Sequence, residues 1–252
     1  MKVSLITVCF RSAGVIRSAI ESVLSQKGVD IDYIVVDGGS NDGTVEILKD
    51  YESKFAGRMR WISERDEGMY DALNKGIKMA KGDVVGILNA DDVLEDENTL
   101  AFIASSFEPG VDCVYGDIRF VRGESKKTTR YYSSKRWRPW MHNWGFMPAH
   151  PSVYVRREVF DQVGGYKLGY DISADFEWMV RLLCKARVKA RYLPRSIVTM
   201  RLGGKSTAGL KAMLKLNREN VRANRENGYF CCLPMMLPKY FFKIWGYIFR
   251  KN

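Results

Sequence analysis

Short aliphatic runs alternate with helical patterns through the first half of the chain, and no other feature constrains the fold as strongly. Strand patterns cover residues 3–9, 31–36, 58–63 and 84–88, and helical spacing covers residues 15–24, 45–51 and 69–80. Strands separated by helices in this way pair in parallel through right-handed crossovers. The first half therefore predicts an α/β fold with a mostly parallel, twisted, doubly wound sheet and flanking helices.

The pattern changes after residue 110. Two strand patterns, 111–115 and 118–121, flank Gly116 and Asp117, and a polar loop with three tryptophans extends from about 123 to 148. A loop of this length inside a domain is predicted to be a binding loop or a lid. Beyond it we expect two helices, a strand and a longer helix, near 156–163, 174–186, 191–198 and 207–226.

The positive charge of the chain is concentrated in its C-terminal third. Residues 181–252 hold 17 Lys and Arg against Glu219 and Glu226 only, a net charge of +15. Since the whole chain carries +11, residues 1–180 carry −4. Such a basic part favours anionic partners: lipid, nucleic acid or phosphorylated substrates. We expect one domain over 1–205, with halves 1–110 and 111–205, and a helical, basic and aromatic extension over 206–252.

The five cysteines indicate a reducing compartment. They are odd in number and scattered, without metal-ligand spacing, so they predict neither a disulfide framework nor a zinc site. The N-terminus enters a strand pattern directly and lacks the apolar core of a signal peptide. The cytoplasm is therefore the expected location.

The segment 229–249 is apolar and aromatic but is interrupted by Pro234, Pro238, Lys239 and Lys243. A membrane-spanning helix needs about 20 mostly apolar residues without such interruptions. Aromatic side chains among basic residues are typical of an anchor in the plane of the membrane interface. We expect residues 229–252 to associate with the cytoplasmic membrane surface; the alternative is a C-terminal helix packed on the domain.

Two adjacent carboxylates, Asp91 and Asp92, follow the buried strand 84–88. Ligands of open α/β sheets bind at the carboxyl ends of strands, and neighbouring carboxylates repel unless they share a positive charge. A divalent cation such as Mg²⁺ supplies that charge, with substrate phosphates completing its shell. The alternative is that one aspartate caps a helix beginning near Glu95.

Three further polar clusters follow strands or open helices. Asp37 closes the second strand, and the glycines after it would let backbone amides approach a nucleotide. The segment 64–77 places Asp71 and Asn74 on one helix face and Arg65 where it could meet phosphate. Asp175 opens a later helix, where an acid is also favoured by the helix dipole alone. The chain has no GxGxxG motif and no P-loop lysine, so neither a dinucleotide cofactor nor ATP hydrolysis is indicated.

Together these segments resemble family 2 glycosyltransferases with the GT-A (Rossmann-like) fold. The matching segments are TVCF at 7–10, VDGGSNDGT at 36–44, residues 66–77, LNADD at 88–92, HPS at 150–152 and ADFE at 174–177. They occur in the family's order from residue 3 to about 200. The likeness is to bacterial enzymes that build O-antigen, capsule or other exopolysaccharide units.

The resemblance implies a nucleotide-diphosphate-sugar donor, Mg²⁺ or Mn²⁺, and an inverting transfer. It makes 1–110 the donor-binding half and 111–205 the acceptor-binding half. The donor-binding residues it implies are Asp37 at the nucleobase, Thr7 and Cys9 flanking it through backbone, Asp66 along the nucleotide or donor sugar, and Arg65, Asn74, Asn89 and Asp91. It makes Asp91 the principal metal ligand, supported by Asp92, and Asp175 the general base.

One departure from the family pattern concerns the metal. The first position of the DxD motif is Asn89, which adds no charge, so metal binding depends more on Asp91. For the acceptor we expect His150 and Trp144, although the histidine beside Pro151 could equally be structural and the tryptophan could pack in the core.

The leading hypothesis is transfer to a lipid-linked saccharide at the inner face of the plasma membrane by a peripheral enzyme that binds no nucleic acid. One alternative is a sugar-nucleotide nucleotidyltransferase, which requires a glycine-rich loop with Arg and Lys after the first strand; residues 11–14 match this poorly. The other is a non-enzymatic protein that binds membrane or nucleic acid through its basic tail.

Overall fold

A mixed sheet forms the centre of the computed structural model, which describes residues 1–123, 127–201 and 209–241. Within those residues the sheet has nine strands: β1 Lys2–Cys9, β2 Asp30–Asp37, β3 Met59–Ser63, β4 Val84–Ile87, β5 Val93–Leu94, β6 Cys113–Val121, β7 Thr128–Tyr132, β8 Val153–Arg156 and β9 Ala190–Arg201. The α-helices are α1 Ile16–Leu24, α2 Thr44–Glu52, α3 Met69–Met79, α4 Thr99–Ser105, α5 Val159–Val163, α6 Ala174–Met179 and α7 Gly209–Glu226.

Strands β1 to β4 form the parallel part of the sheet, as their aliphatic runs predict. β1 lies between β2 and β4, and β3 flanks β2. Val3 and Leu5 of β1 pack in the core that contains α1 and α2, whereas Ile6 and Val8 pack in the core that contains α3 and α6. Because both faces are covered by helices, these strands are apolar throughout instead of alternating. The predicted α/β fold class is confirmed.

The second half of the sheet is mixed. The strand order is β3-β2-β1-β4-β8-β6-β9-β5, with β7 paired to β6. β8 runs antiparallel to β4 and β6, β9 runs parallel to β6, and β5 runs antiparallel to β9. Since β5 and β8 have only two and four residues, neither provides a periodicity long enough to detect in the sequence.

The region after residue 110 differs from its prediction in three respects. The two predicted strands are one strand, β6, whose register against β9 shifts around Asp117. The predicted loop 123–148 contains β7 and a short 3-10 helix, Pro139–Trp144. Buried Asp117 organises this region, since it accepts hydrogen bonds from the Tyr131 and Tyr192 hydroxyls (2.8 and 2.9 Å) and from Ser134 N (2.7 Å). The helix predicted at 174–186 is α6 followed by a π-helical turn, Val180–Lys185.

The C-terminal helix α7 packs on the domain. Buried Asn224 bonds to His142, and buried Asn227 donates to Oε1 of Glu177 in α6 (3.1 Å). No helix within the described residues is long and apolar enough to cross a membrane. Residues 207 and 208 of the predicted helix, and residues 242–252 of the predicted membrane segment, lie outside the described residues.

Close packing of β4 against β8 predicts that Gly86→Ala destabilises the fold. An added Cβ would lie 2.1 Å from the Tyr154 ring, and overpacking of this kind costs about 1–3 kcal/mol or more. Gly14→Ala is the matched control, because nothing lies within 4 Å of its added Cβ, and we expect a change below about 1 kcal/mol. Urea unfolding of both variants measures the difference; equal midpoints would contradict the packing argument.

Candidate active site

The carboxyl ends of β1, β2, β3 and β4 meet at one edge of the sheet. In the strand registers Cys9 lies opposite Asp37, and Asp37 lies opposite Ser63. β4 runs beside β1 and leads directly into residues 88–92. The sheet therefore brings the polar segments after these strands together at the position where open α/β folds bind ligands.

Asp37 organises the loop that follows β2. Its carboxylate is fully buried, and Oδ2 accepts hydrogen bonds from Gly39 N (3.2 Å), Ser40 N (2.8 Å) and Ser63 Oγ (2.6 Å). Oδ1 accepts from Ser40 Oγ (2.5 Å) and from the Cys9 thiol (3.5 Å). A carboxylate removed from water requires such donors. The structure thus assigns Asp37 a role in shaping the loop, and its contact with a nucleobase stays a prediction.

The loops after β1 and β2 are joined by a row of side-chain to backbone hydrogen bonds. Three side chains of the second loop accept from three consecutive amides of the first: Ser40 Oγ from Arg11 N (2.7 Å), Thr44 Oγ1 from Ser12 N (2.9 Å) and Asp42 Oδ2 from Ala13 N (3.1 Å). Arg11 has a φ of 50°, a conformation that L-residues rarely adopt, and its hydrogen bond to Ser40 holds it there. These polar residues of the GGSNDGT segment therefore support the rim of the cleft.

Two predicted donor residues of β1 are placed differently from one another. Thr7 is fully buried within the strand, and its hydroxyl accepts a hydrogen bond from Tyr33 (3.1 Å), so the structure does not bring Thr7 to the sheet edge. Cys9 does lie at the edge. Burial and the neighbouring Asp37 raise the pKa of its thiol, which therefore stays protonated and donates to that carboxylate.

Asp66 and Arg65 lie beside the loop after β2. A Cβ added to Gly38 would be 2.8 Å from Asp66 Oδ2, so only glycine allows this approach. The other oxygen of Asp66 accepts from Gly68 N (2.9 Å), just before α3 begins. The Arg65 side chain is exposed, and its backbone passes close to Gly39.

Both ends of the Asn74 amide are engaged within the protein. Its Nδ2 donates to Tyr166 O (2.8 Å), and its Oδ1 accepts from Tyr166 N (2.8 Å). A Cβ on Gly165 would lie 2.3 Å from that same Oδ1. The amide therefore fastens the segment before α6 to α3, and its contact with the donor stays a prediction. The pairing spans 92 residues of sequence, which explains why no local pattern indicates it.

The segment after β4 folds into a tight turn in which Asn89 serves Asp92. Asn89 Nδ2 donates to Asp92 Oδ2 (2.8 Å), and Asp92 N donates to Asn89 O (3.1 Å). Asn89 Nδ2 is thus engaged within the turn, and the contact of Asn89 with the donor stays a prediction. The helix-cap alternative for this pair is wrong, because Asp92 leads into β5 and α4 begins only at Thr99.

The two carboxylates of the turn differ in environment. Asp92 is buried, and its Oδ1 has no hydrogen-bond partner among the described residues. Burial and the adjacent Asp91 raise the pKa of Asp92 to about 7, against the opposing charge of Arg201. Asp91 is partly exposed, and no hydrogen bond or ion pair within the described residues involves its side chain. An orphaned buried oxygen beside an unengaged carboxylate fits the oxygen-ligand preference of Mg²⁺ or Mn²⁺.

The described part of the chain does not by itself supply a complete metal site. The described residues contain no group of three or more His, Cys, Asp or Glu side chains that could hold a metal ion. Mg²⁺ is commonly bound by one or two carboxylates together with substrate phosphates, so Asp91 and Asp92 are an adequate protein contribution. Arg201, which closes β9 and donates to Ser18 Oγ (2.9 Å), is a charged neighbour of this turn that sequence analysis missed.

Asp175 lies in the first turn of α6 with one oxygen engaged. Oδ1 accepts from Phe176 N (2.8 Å) and lies 3.5 Å from the Tyr70 hydroxyl. No donor among the described residues reaches Oδ2, and the side chain is partly exposed. Loss of water around the carboxylate raises the pKa of Asp175 to about 6. A carboxylate of this pKa is well suited to accept a proton near neutral pH.

Tyr70 connects Asp175 to the donor side of the cleft. It is the second residue of α3, whose preceding turn carries Asp66, and its hydroxyl also donates to Ile172 O (2.6 Å). The segment 66–70, which leads into α3, therefore lies beside the loop after β2 and bonds to the loop before α6. The sequence indicates this segment for Asp66 and Asn74 but not for Tyr70, because an aromatic residue at this position is typical of helix core.

His150 belongs to an aromatic cluster beside Asp175. Its Nε2 lies 2.7 Å from the Tyr166 hydroxyl, and its ring packs edge-on against Tyr166 and Trp178. Burial lowers the pKa of His150 to about 4, so the imidazole is neutral at physiological pH. It is placed to orient Tyr166, and contact with an acceptor stays a prediction.

The three tryptophans of the predicted lid have different environments. Trp137 is core, with its indole N–H donating to Phe146 O (3.1 Å), whereas Trp140 and Trp144 are exposed. Trp144 is flanked by Asn143 and Gly145, which contact Cys231 and Met236 of the C-terminal segment. The predicted acceptor residue therefore lies beside the part of the chain that we predicted to meet the membrane.

Glu177 is the last residue of the ADFE segment, and sequence analysis assigned it no role of its own. It is fully buried, and it forms ion pairs with Arg181 (2.8 Å) and Lys167 (2.9 Å). Arg181 in turn donates to the carbonyls of Val163 and Gly165 (2.7 Å for Gly165). This network holds the loop that carries Tyr166, and the only sequence signal for it is an acid four residues before an arginine on one helix.

The family model described as Glycosyl transferase family 2 matches residues 4–167 of the chain. The chain belongs to glycosyltransferase family 2. A protein of Mycobacterium tuberculosis named PGL/p-HBAD biosynthesis glycosyltransferase is 30% identical over 198 residues, which cover 75% of this chain and 73% of that protein. The family resemblance of the motifs is confirmed, and this glycosyltransferase is an enzyme, not a non-enzymatic binding protein.

Solved structures share the fold of this glycosyltransferase. Staphylococcus aureus TarS 1-349 in complex with UDP-GlcNAc has a TM-score of 0.68 at 16% identity, covering 88% of this chain and 66% of that one. The mannosyltransferase PcManGT from Pyrobaculum calidifontis, in complex with GDP-Man and Mn²⁺, has a TM-score of 0.66 at 17% identity, covering 96% and 69%. The full S. aureus TarS chain is longer, and this chain covers 39% of it. The predicted GT-A fold is confirmed.

Proposed function

We propose that this glycosyltransferase is an inverting enzyme that moves a sugar from a nucleotide-diphosphate-sugar to a hydroxyl of a lipid-linked saccharide in bacterial surface polysaccharide biosynthesis. The observation that carries the proposal is the Asp175 carboxylate, which has one engaged oxygen, one open oxygen and a raised pKa. It is tied through Tyr70 and the first turn of α3 to the loop that Asp37 shapes. Donor, acceptor and base would thus meet at one edge of the sheet.

The chemistry requires only one displacement. Asp175 Oδ2 takes the proton of the acceptor hydroxyl while that oxygen forms a bond to the anomeric carbon, and the bond from this carbon to the diphosphate breaks on the opposite side. No covalent intermediate is needed, because Asp175 acts as a base and does not attack the sugar itself. Asp91 and Asp92 would hold the divalent cation, which when bound stabilises the negative charge on the departing diphosphate.

The donor proposal is supported by neighbours that bind UDP-GlcNAc or GDP-Man and Mn²⁺ in their own structures. The nucleotide of this enzyme can be identified by a thermal-shift panel of UDP-, GDP- and dTDP-sugars with and without Mn²⁺. We expect one series to raise Tm in a Mn²⁺-dependent manner, because a ligand that binds only the native state stabilises it. Asp91→Asn should abolish the Mn²⁺-dependent part, whereas Asp50→Asn, an exposed aspartate of α2, should retain it. A wild-type protein that no nucleotide stabilises would contradict the donor site.

The assignment of the base predicts both a variant and a pH profile. Asp175→Asn should lower kcat about 10²–10⁴-fold while nucleotide binding persists, and Asp161→Asn, an exposed aspartate of α5, should be unaffected. Because the base acts when deprotonated, kcat/KM should fall as pH drops through about 6. Initial rates between pH 5 and 8 test this, and full transfer by Asp175→Asn would exclude the carboxylate as base.

The proposed membrane contact is supported by exposed apolar residues near the C-terminus. Phe230, Leu233, Leu237 and Phe241 are 79%, 44%, 55% and 73% exposed and recur at intervals of three or four residues. The adjoining helix α7 carries exposed Lys211, Arg218 and Arg225. Apolar side chains that insert beside cations that attract anionic headgroups are typical of an interfacial surface. Such a surface would place the enzyme peripherally on the cytoplasmic face of the membrane.

Vesicle sedimentation tests this surface. Phe230→Ser should weaken binding to vesicles containing phosphatidylglycerol about tenfold, since burying a phenylalanine side chain contributes about 1.5–3 kcal/mol. Phe10→Ser is the control, because Phe10 is also exposed but lies at the donor edge after β1. Added salt should weaken binding of the wild-type protein as well. Equal binding of the two variants would show that residues around 230 do not meet the bilayer.

A further inference from the structure

A buried glutamate of the C-terminal helix accepts three consecutive backbone amides. Glu219 of α7 is 9% exposed, and its Oε1 accepts from Asp171 N (3.1 Å). Its Oε2 accepts from Ile172 N and Ser173 N (both 2.9 Å). Charge-assisted hydrogen bonds of this kind are stronger than those between neutral groups. A carboxylate that binds three successive amides therefore defines the path of the backbone at that point.

These three amides immediately precede the helix that carries Asp175. α6 begins at Ala174, and its N-cap residue, Ser173, makes no side-chain capping bond of its own. Glu219, 46 residues further along the chain, accepts from the backbone amide of this N-cap residue, one of the amides that has no acceptor within the helix. On the other side, the Tyr70 hydroxyl of α3 donates to Ile172 O. The loop 171–173 is thus held between α7 and α3, directly before α6 begins.

We propose that Glu219 is a positioning residue for Asp175, which it holds in place through the 171–173 backbone. This inference rests on the proposed function, in which Asp175 is the general base. It extends the catalytic unit into α7, which the sequence assigned to a separate extension beginning at residue 206. The base would then depend on the same helix that leads into the proposed membrane surface.

Three further contacts fasten α7 to the acceptor side. Asn224 bonds to His142 of the 3-10 helix Pro139–Trp144, and Asn227 donates to buried Glu177 (3.1 Å). Asn220, with its amide oriented to satisfy its neighbours, donates to Ser173 Oγ (2.9 Å). One face of α7 therefore consists of polar side chains that each meet a different part of the acceptor half. A helix attached in this way has a defined position, which a positioning role requires.

The charged and titratable groups around Asp175 determine what removal of Glu219 should do. Four groups face the Asp175 carboxylate or its helix: Tyr70 of α3, Tyr166 of the segment before α6, His150 beside Tyr166, and Glu219 of α7. Both tyrosines keep their protons because burial raises their pKa, and burial keeps His150 neutral. The carboxylate of Glu219 adds to the effect of burial and raises the pKa of Asp175 further.

The test is the pH dependence of kcat/KM for Glu219→Gln with donor and acceptor at low concentration. Loss of the negative charge should move the acidic limb to lower pH, and loss of one charged acceptor should lower kcat/KM about 10- to 100-fold through misplacement of the base. The limb position does not depend on the folded fraction of the preparation, so reduced stability leaves this readout intact. Glu219→Asp keeps the negative charge but shortens the side chain by one methylene. It should lower kcat/KM without moving the acidic limb of the pH profile.

Glu226→Gln is the matched control. It removes the same charge from the same helix seven residues later, where the carboxylate meets the side chains of Arg222, Lys167 and Tyr170 but no backbone amide of the 171–173 loop. We expect its acidic limb to coincide with that of the wild-type enzyme. An acidic limb of Glu219→Gln that also coincides with wild type would overturn the proposal, whether or not kcat/KM falls.

The outcomes separate this inference from the proposed function. If Asp175→Asn is inactive and Glu219→Gln leaves the limb in place, the base assignment stands and the positioning role is wrong. If Asp175→Asn transfers sugar at the wild-type rate, the proposed function itself fails.

Discussion

Each wall of the active site depends on a buried carboxylate, because a carboxylate removed from water must be hydrogen-bonded or paired. Asp37 gathers amides and hydroxyls of the donor loop, Asp117 holds the region after β6, and Glu219 holds the loop before α6. Glu177 does the same for the segment carrying Tyr166 through Arg181. In each case one acid fixes the position of a segment that lies outside the central strands. The sheet supports these segments, and the buried acids determine the conformation of each segment.

The carboxylates with incomplete partners are those suited to chemistry. Asp92 has an oxygen without a partner among the described residues, and Asp175 has one oxygen that no described donor reaches. Burial raises the pKa values of both groups. Carboxylates with perturbed pKa values and an open oxygen are typical of functional sites, which links them to the proposed donor and base sites.

Much of the donor half follows from the sequence because its signals are local. The strands β1 to β4 are apolar over most of their length, and each ends directly before a polar or glycine-rich segment. Parallel pairing then requires those segments to meet at one edge. The acceptor half is less predictable, because β5 and β8 are short and β7 lies in a segment that resembles a loop.

The order of its motifs by itself determined that this chain is a family 2 glycosyltransferase with an α/β fold, and it identified Asp91 and Asp175 as candidates for chemistry. Only the tertiary structure decided what the other polar residues do. Asn74 bonds to a backbone 92 residues away, Asn89 donates within its own turn, and Glu219 accepts from the loop before α6. The physical reason is that periodicity and motif order report on neighbours along the chain. The partner of a buried polar group is selected by proximity in space, and that proximity exists only once the chain has folded.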